Sequence, residues 1–266
     1  MNPDLELAER AARAAGEVLL SFYGRPPEGV SSKSSATDLV SDADREAERT
    51  IRELLETERP DDGLVAEEGS HSEAASGRRW VVDPLDGTIN FLYGFPAWAV
   101  SVALEDAQGS LLGVVHSPLH RETFCAVRGE GAFVRGEGPD AEAAGAAGEL
   151  RPLRVRAPRP LAESLVATGF SYEPDRRAVQ AEVVAKLLPH ARDIRRAGAA
   201  AVDLAWLAAG RTDAFFERGL QHWDWAAGRL LVEEAGGSFT WLEDGWPGLL
   251  AASNDGLLEE LRPLIS

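Results

Sequence analysis

At 266 residues the chain is long enough for one large domain or two small ones with a sizeable core. Its 44 acidic residues outweigh 27 basic ones, a net charge of -17, which argues against nucleic acid or an anionic membrane as a partner because both need a positive face. A single cysteine, Cys125, rules out an intrachain disulfide. The acidic start MNPDLELAER lacks the basic head and apolar core of a signal peptide, and no apolar run approaches the roughly 20 residues that span a bilayer, so the expected location is cytoplasmic.

Leu5, Ala8, Ala12, Ala15, Leu19 and Phe22 recur at helical spacing and predict a helix over Leu5 to Phe22. Arg25 to Thr37 is a Pro/Ser/Gly loop. Ser41 or Asp42 can cap a second helix, with Ala43, Ala47, Ile51, Leu54 and Leu55 on its inner face. Val65-Ala66 and Trp80 to Val82 read as short buried strands. Ala97 to Val134 is a series of short apolar or alternating runs divided by turns, the pattern of an antiparallel meander.

Gly136 to Gly148 is low in complexity and marks the expected boundary between an N-terminal α+β half, 1–137, and a C-terminal α/β half, 150–266. The second half alternates. Strands are expected at Ser164 to Thr168, Asp193 to Arg195 and Asp213 to Phe216, and helices at Asp175 to Leu188, Ala199 to Ala209 and Trp223 to Ala235. Such alternation predicts layered α/β packing.

Acidic residues gather at element ends: Asp38 and Asp44 at a loop-to-helix junction, Glu67-Glu68 after one strand, Asp83 and Asp86 after another, Asp224 opening a helix. Each alone reads as a cap or a solvated turn. Together they do not, because two carboxylates about 4 Å apart at an effective dielectric near 20 repel by about 4 kcal/mol. Carboxylates without a His/Cys cluster suit hard divalent cations, Mg²⁺ above all. The five histidines show no zinc spacing. In Asp83-Pro84-Leu85-Asp86-Gly87-Thr88, the proline is expected to hold a turn that lets the two aspartates converge. Asp86 is expected to cap a short helix from Thr88 to Tyr93, and Gly87 to let a ligand approach free N–H groups at that helix start. Metal ligands beside an anion cradle fit metal-assisted phosphate ester hydrolysis. Neither the P-loop nor the dinucleotide glycine pattern occurs.

Asp83 to Phe91, DPLDGTINF, resembles the DP(I/L)DGTxNF signature of the inositol monophosphatase family, and Trp223 to Gly237, WDWAAGRLLVEEAGG, is similar to its second signature, WDxAxGxxLxxEAGG. Asp38 to Asp44 and Ala66 to Ser70 follow in the family's order. The resemblance implies an αβαβα five-layer sandwich of the sugar phosphatase type, usually dimeric, and a Mg²⁺-dependent, lithium-sensitive phosphatase with two to three cations. By the same resemblance, Glu67, Asp83 and the Leu85 carbonyl hold a first cation, and Asp83, Asp86 and Asp224 a second. Glu67 reaches a third. Thr88, hydrogen-bonded to Asp44, positions the attacking water, and the Gly87 and Thr88 N–H groups hold phosphate. Asp86, Ala200, Glu217 and the loop residue Lys33 serve the substrate, and Asp38 anchors its loop. Ala199 stands where many members carry Ser or Thr, near the substrate pocket.

The implied substrate is a small phosphorylated polyol or sugar, inositol-1-phosphate first. Histidinol phosphate, fructose-1,6-bisphosphate and 3′-phosphoadenosine 5′-phosphate are the alternatives within the superfamily, and a catalytically inactive regulatory binding protein is the alternative of a different class.

Overall fold

The computed structural model describes residues 2–24, 31–32, 39–40, 42–136, 148–243 and 245–266. Lys33, Asp38 and Ser41 lie outside them, as do the greater parts of the Arg25–Thr37 and Gly136–Gly148 loops.

Helix α1 (Pro3–Phe22) starts where the Asn2 side chain accepts from the N–H groups of Asp4 and Leu5, with proline at its first position. A two-residue ribbon, β1 (Ser31–Ser32) with β2 (Leu39–Val40), leads to helix α2 (Asp42–Glu58), which packs against α1. Strands β3 (Gly63–Ala66), β4 (His71–Ser72) and β5 (Arg79–Asp86) precede a one-turn helix, α3 (Thr88–Leu92). The expected meander follows as β6 (Ala99–Asp106), β7 (Gly109–Ser117), β8 (Glu122–Val127) and β9 (Gly131–Gly136), and β10 (Leu150–Pro152) adds to β9. These strands make one eight-stranded sheet in the order β10-β9-β8-β7-β6-β5-β3-β4, antiparallel except for β3 beside β5.

The rest of the chain comprises β11 (Leu165–Thr168), α4 (Pro174–Leu187), β12 (Asp193–Arg195), α5 (Ala200–Ala208), β13 (Ala214–Arg218), α6 (His222–Glu234), β14 (Ser238–Leu242), β15 (Gly248–Ala252) and α7 (Asp255–Ile265). Its five strands run β12-β11-β13-β15-β14. The first three are mutually parallel, and β15 is antiparallel to both of its neighbours.

Three apolar layers hold the elements together. Trp80, Val82, Val100 and Val114 face α1 and α2. Val81, Ala99, Ala103, Val115 and Phe124, on the opposite face of the same strands, join α5, α6 and the inner face of the second sheet. The outer face of that sheet packs on α7 and the end of α4 through Val166, Leu187, Leu250, Leu257 and Leu261. Helix pair, sheet, helix pair, sheet and helix pair make the five-layer α/β sandwich. A sheet buried on both faces reads as a near-continuous apolar run, which is why β5 and β6 do not alternate. Among the described residues no helix is long and apolar enough to cross a membrane. Cys125 is buried in β8, and burial pushes its thiol up to about 12.

Helix α6 is docked closely on the first sheet. The Oγ of Ser110 donates to the Ala226 carbonyl at 2.9 Å, and His222 Nε2 lies 2.8 Å from Glu105, which also binds Arg79. At the closest approach a Cβ on Gly113 would stand 2.8 Å from the Cα of Ala227 and 2.9 Å from its carbonyl oxygen. Backbone atoms cannot rotate aside. Gly113→Ala is therefore expected to push α6 off β7 and to cost about 1–3 kcal/mol of stability, read as a lowered thermal midpoint.

Candidate active site

Asp83 and Asp86 lie inside β5 and not in a turn after it. The strand carries on past Val82, and Asp83 pairs with Ser101 and Asp86 with Ala99, three steps on β5 against two on β6. One residue is therefore extra, and the strand is bulged there. Residues three apart on a regular strand project to opposite faces. The inserted residue changes that parity, and both carboxylates line one cleft. Pro84 fits the bulge because it lacks the N–H a ladder would need. The Leu85 N–H turns back to Asp83 Oδ1 at 3.0 Å. The expected convergence is present, but a bulge produces it.

Asp86 does not cap α3. Its two oxygens accept from the N–H groups of Ala200 (3.2 Å) and Ala201 (2.7 Å) at the start of α5. The N-cap position of α5 is Ala199, whose methyl cannot accept a hydrogen bond, so a distant carboxylate satisfies the first-turn donors. α3 begins at Gly87 with no side-chain cap. Gly87 has φ 90°, and a Cβ there would lie 2.9 Å from the Ala97 carbonyl oxygen and 3.1 Å from Ala199 Cβ, so glycine is required on both counts. Asn90 ties the two loops together, donating to the carbonyls of Ala97 (2.6 Å) and Ala197 (2.9 Å).

The cleft, about 270 Å³, brings Glu67, Asp83, Leu85, Asp86, Gly87, Thr88, Ala200, Glu217 and Asp224 together. Asp224 sits in the first turn of α6 and accepts from the Gln221 N–H at 2.6 Å. Glu67 follows β3, in a turn braced by Glu48 of α2. The Glu48 carboxylate accepts from the N–H groups of Glu68 (2.7 Å) and Ser70 (3.1 Å). Asp44, only 1% exposed, approaches Thr88 from α2. The Thr88 hydroxyl lies 3.5 Å from Asp44 Oδ2 and 3.1 Å from the Leu85 carbonyl. It has one proton to give, and the carbonyl is the nearer acceptor.

Burial raises the carboxyl groups of Asp44, Glu67, Asp83, Asp86 and Asp224. Asp83 is raised well above the usual range by burial first, then by Glu67, Asp86, Asp224 and Asp44. Asp44 and Asp224 are raised well above it as well, each by burial first. Asp86 is pushed up to about 6 by burial, against its N–H donors on α5. Glu67 is pushed up to about 7 although its side chain reaches solvent, because the narrow cleft desolvates it among other acids; it also shares a hydrogen bond with Asp83.

This all-oxygen donor set, carrying more negative charge than nearby arginines neutralise, fits a hard divalent cation. Among the described residues no three acidic, His or Cys side chains already meet as a closed ligand set. Asp86 and Asp224 are turned partly toward N–H donors, and Glu67 toward Asp83, but each carboxylate oxygen keeps a lone pair.

A pH dependence follows. The folded chain holds Glu67 near 7 and Asp86 near 6, against ordinary values of 4.5 and 3.8. It therefore binds more protons than the unfolded chain, and the stability this confers is lost as pH rises through 6 to 7. In EDTA the thermal midpoint is expected to fall between about pH 5 and about pH 8. Excess Mg²⁺ is expected to shrink or reverse that fall, because a cation binds the ionised form.

The wall opposite the carboxylates comes from the second half of the chain. Phe170, Tyr172, Arg176, Arg196, Glu217 and Trp246 line it. Glu217 is raised well above its usual range by burial and then by Asp224. Of the site residues named from the sequence, Lys33 and Asp38 lie outside the described residues, and Asp44, Glu67, Asp83, Leu85, Asp86, Gly87, Thr88, Ala200, Glu217 and Asp224 converge. Sequence reasoning missed Glu48, although it stands four residues after Asp44, one turn along the same helix face. It assigned no role to Asn90. It also passed over Asp203, a buried acid of α5 raised by burial and then by Asp86. Tyr172, Arg176, Arg196 and Trp246 carry no local signal that marks them as cleft residues.

With this geometry in place, comparison with known proteins is informative. The inositol monophosphatase family model matches residues 1–264. An inositol-1-monophosphatase of Rhizobium meliloti is 40% identical over 276 residues, covering 98% of this chain and 95% of that protein. A Nus factor SuhB of Pasteurella multocida is 40% identical over 239 residues, covering 89% of this chain and 84% of that protein. The crystal structure of the extragenic suppressor protein suhB from Bartonella henselae superposes with a TM-score of 0.85 at 38% identity, over 98% of this chain and 97% of that one. The bulged DPLDGT strand, the acids gathered at strand and helix ends and the five-layer sandwich around them all agree with that match: the chain belongs to the inositol monophosphatase family.

Proposed function

We propose that this chain is a Mg²⁺-dependent phosphatase of small sugar or polyol monophosphates, with inositol-1-phosphate the leading substrate. The observation that carries the reading is the convergence of Glu67, Asp83, Asp86 and Asp224 on one cleft beside the uncapped start of α3. Glu67, Asp83 and the Leu85 carbonyl would hold one cation, and Asp83, Asp86 and Asp224 a second, with Glu67 open to a third. Bound there, the cations supply Lewis-acid stabilisation of phosphoryl oxygens and a water nucleophile at neutral pH.

The chain's own groups do the rest. The backbone N–H groups of Gly87 and Thr88 hold phosphate oxygens. With its proton directed to Asp44, the Thr88 hydroxyl keeps lone pairs facing the cleft and orients the attacking water toward phosphorus. Glu217 accepts from a substrate hydroxyl, and Ala200 closes the floor beneath it. Lys33 is a candidate phosphate contact, and a homodimer is the proposed assembly.

The relatives named Nus factor SuhB favour a second reading, a regulatory role on the same scaffold. Phosphate release from inositol-1-phosphate, histidinol phosphate, fructose-1,6-bisphosphate and 3′-phosphoadenosine 5′-phosphate, with Mg²⁺ and with EDTA, separates the two. Release that depends on Mg²⁺ and favours one ester supports the enzyme. No release from any ester, while Mg²⁺ still binds by calorimetry, moves the conclusion to the regulatory reading.

A further inference from the structure

Three side chains on the wall facing the carboxylates share one device. Each packs on a glycine where a Cβ would collide with it. A Cβ on Gly169 would stand 2.0 Å from Glu217 Oε2, one on Gly198 2.2 Å from Arg196 Nη1, and one on Gly219 2.0 Å from Trp246 Cζ2. Gly198 and Gly219 also have φ of 91° and 84°, which an L side chain rarely adopts. The position of each of these side chains therefore depends on a glycine beneath it.

Trp246 is the largest of the three. It comes from the turn between β14 and β15, away from every carboxylate of the cleft floor. Its indole packs against Gly219, and the Arg176 guanidinium lies over the ring, 4.4 Å from its centroid. The Gly219 N–H donates to the Pro247 carbonyl at 2.8 Å, and Arg218 donates to the carbonyl of Trp246 itself. Held by Gly219 and Arg176, the ring stands in the lining of the cleft as a bulky barrier. The cavity inside it, about 270 Å³, lies just below the roughly 300–1,000 Å³ usual for ligand pockets.

We propose that Trp246 is a specificity-determining residue: it closes the leaving-group end of the cleft and restricts turnover to phosphomonoesters of compact polyols. The inference rests on the phosphatase reading of this cleft. Its test compares kcat/KM for 2-glycerophosphate, whose leaving group is small, with that for adenosine 3′-monophosphate, whose leaving group is a bulky uncharged nucleoside. Trp246→Ala is expected to raise the ratio of adenosine 3′-monophosphate to 2-glycerophosphate by at least about tenfold, with 2-glycerophosphate itself within about twofold of the wild type. Trp246→Phe keeps a ring on Gly219 and is expected to stay within about threefold of the wild-type ratio.

An unchanged ratio, an equal loss on both esters, or a ratio that moves only because 2-glycerophosphate turnover falls would each overturn the proposal. So would a phenylalanine variant as permissive as the alanine one. A wild-type chain that hydrolyses inositol-1-phosphate but not 2-glycerophosphate would also overturn the proposal, whereas one that releases no phosphate from any of these esters would remove the phosphatase reading itself, and the inference with it. The failure of the wall and the failure of the enzyme are thus distinct results.

Discussion

Asp86→Asn is expected to lower kcat/KM for the preferred phosphomonoester by about a thousandfold, roughly 4 kcal/mol of transition-state stabilisation, and to weaken Mg²⁺ binding measured by calorimetry. The thermal midpoint should move little. Asp86 serves two neighbours at once: its oxygens cap α5 through Ala200 and Ala201, and its charge belongs to the acid cluster of the cleft. Asparagine keeps one acceptor for the shorter bond to Ala201 but sets an amide N–H against the donor of Ala200. That mismatch costs about 1–2 kcal/mol. Removing a buried negative charge that burial and neighbouring acids already oppose offsets much of it. Asp86→Ala loses both caps and should be clearly less stable than Asp86→Asn at a similar rate. An Asp86→Asn protein within tenfold of wild-type turnover would sink the assignment of Asp86 to the cation site.

The reasons some features were legible and others were not lie in particular residues. Element type followed from apolar spacing wherever an element buries one face, as in α1, or both, as in β5. The order of the acidic motifs was plain in the sequence, and it located the cleft. The mechanism of convergence was not. Asp-Pro reads locally as a turn, and only the pairing of β5 with β6 shows that the strand runs on and gains a residue. Asp86 was assigned to α3 because α3 is adjacent in sequence; the donors it serves lie 114 and 115 residues away, on a helix whose own cap position is an alanine. The wall was illegible for the same reason. Gly169, Gly198 and Gly219 look like ordinary turn or loop glycines until the side chains of Glu217, Arg196 and Trp246 are seen lying on them. β14, β15 and α7 were passed over, although Asn254 caps α7 by accepting from the Leu257 N–H at 3.0 Å.

Thr88→Ala is expected to lower kcat by about a hundredfold to a thousandfold with the Mg²⁺ midpoint and thermal stability nearly unchanged. The hydroxyl is small, lies at the mouth of α3 and caps nothing, so its loss leaves no cavity in the core and no cation donor missing. It has two acceptors and one proton. Directed to the Leu85 carbonyl, 3.1 Å away, the proton joins two groups of the same strand-to-helix turn; directed to Asp44, 3.5 Å away, it joins that turn to α2. If turnover requires the second arrangement, Asp44 acts only through Thr88, and the two residues form one unit. Asp44→Asn should then cost nearly as much rate as Thr88→Ala, and the double variant should be scarcely slower than either. Additive losses in the double variant would mean that Asp44 works through some other group of the cleft, and an Asp44→Asn protein with full turnover would leave Thr88 using the Leu85 carbonyl alone.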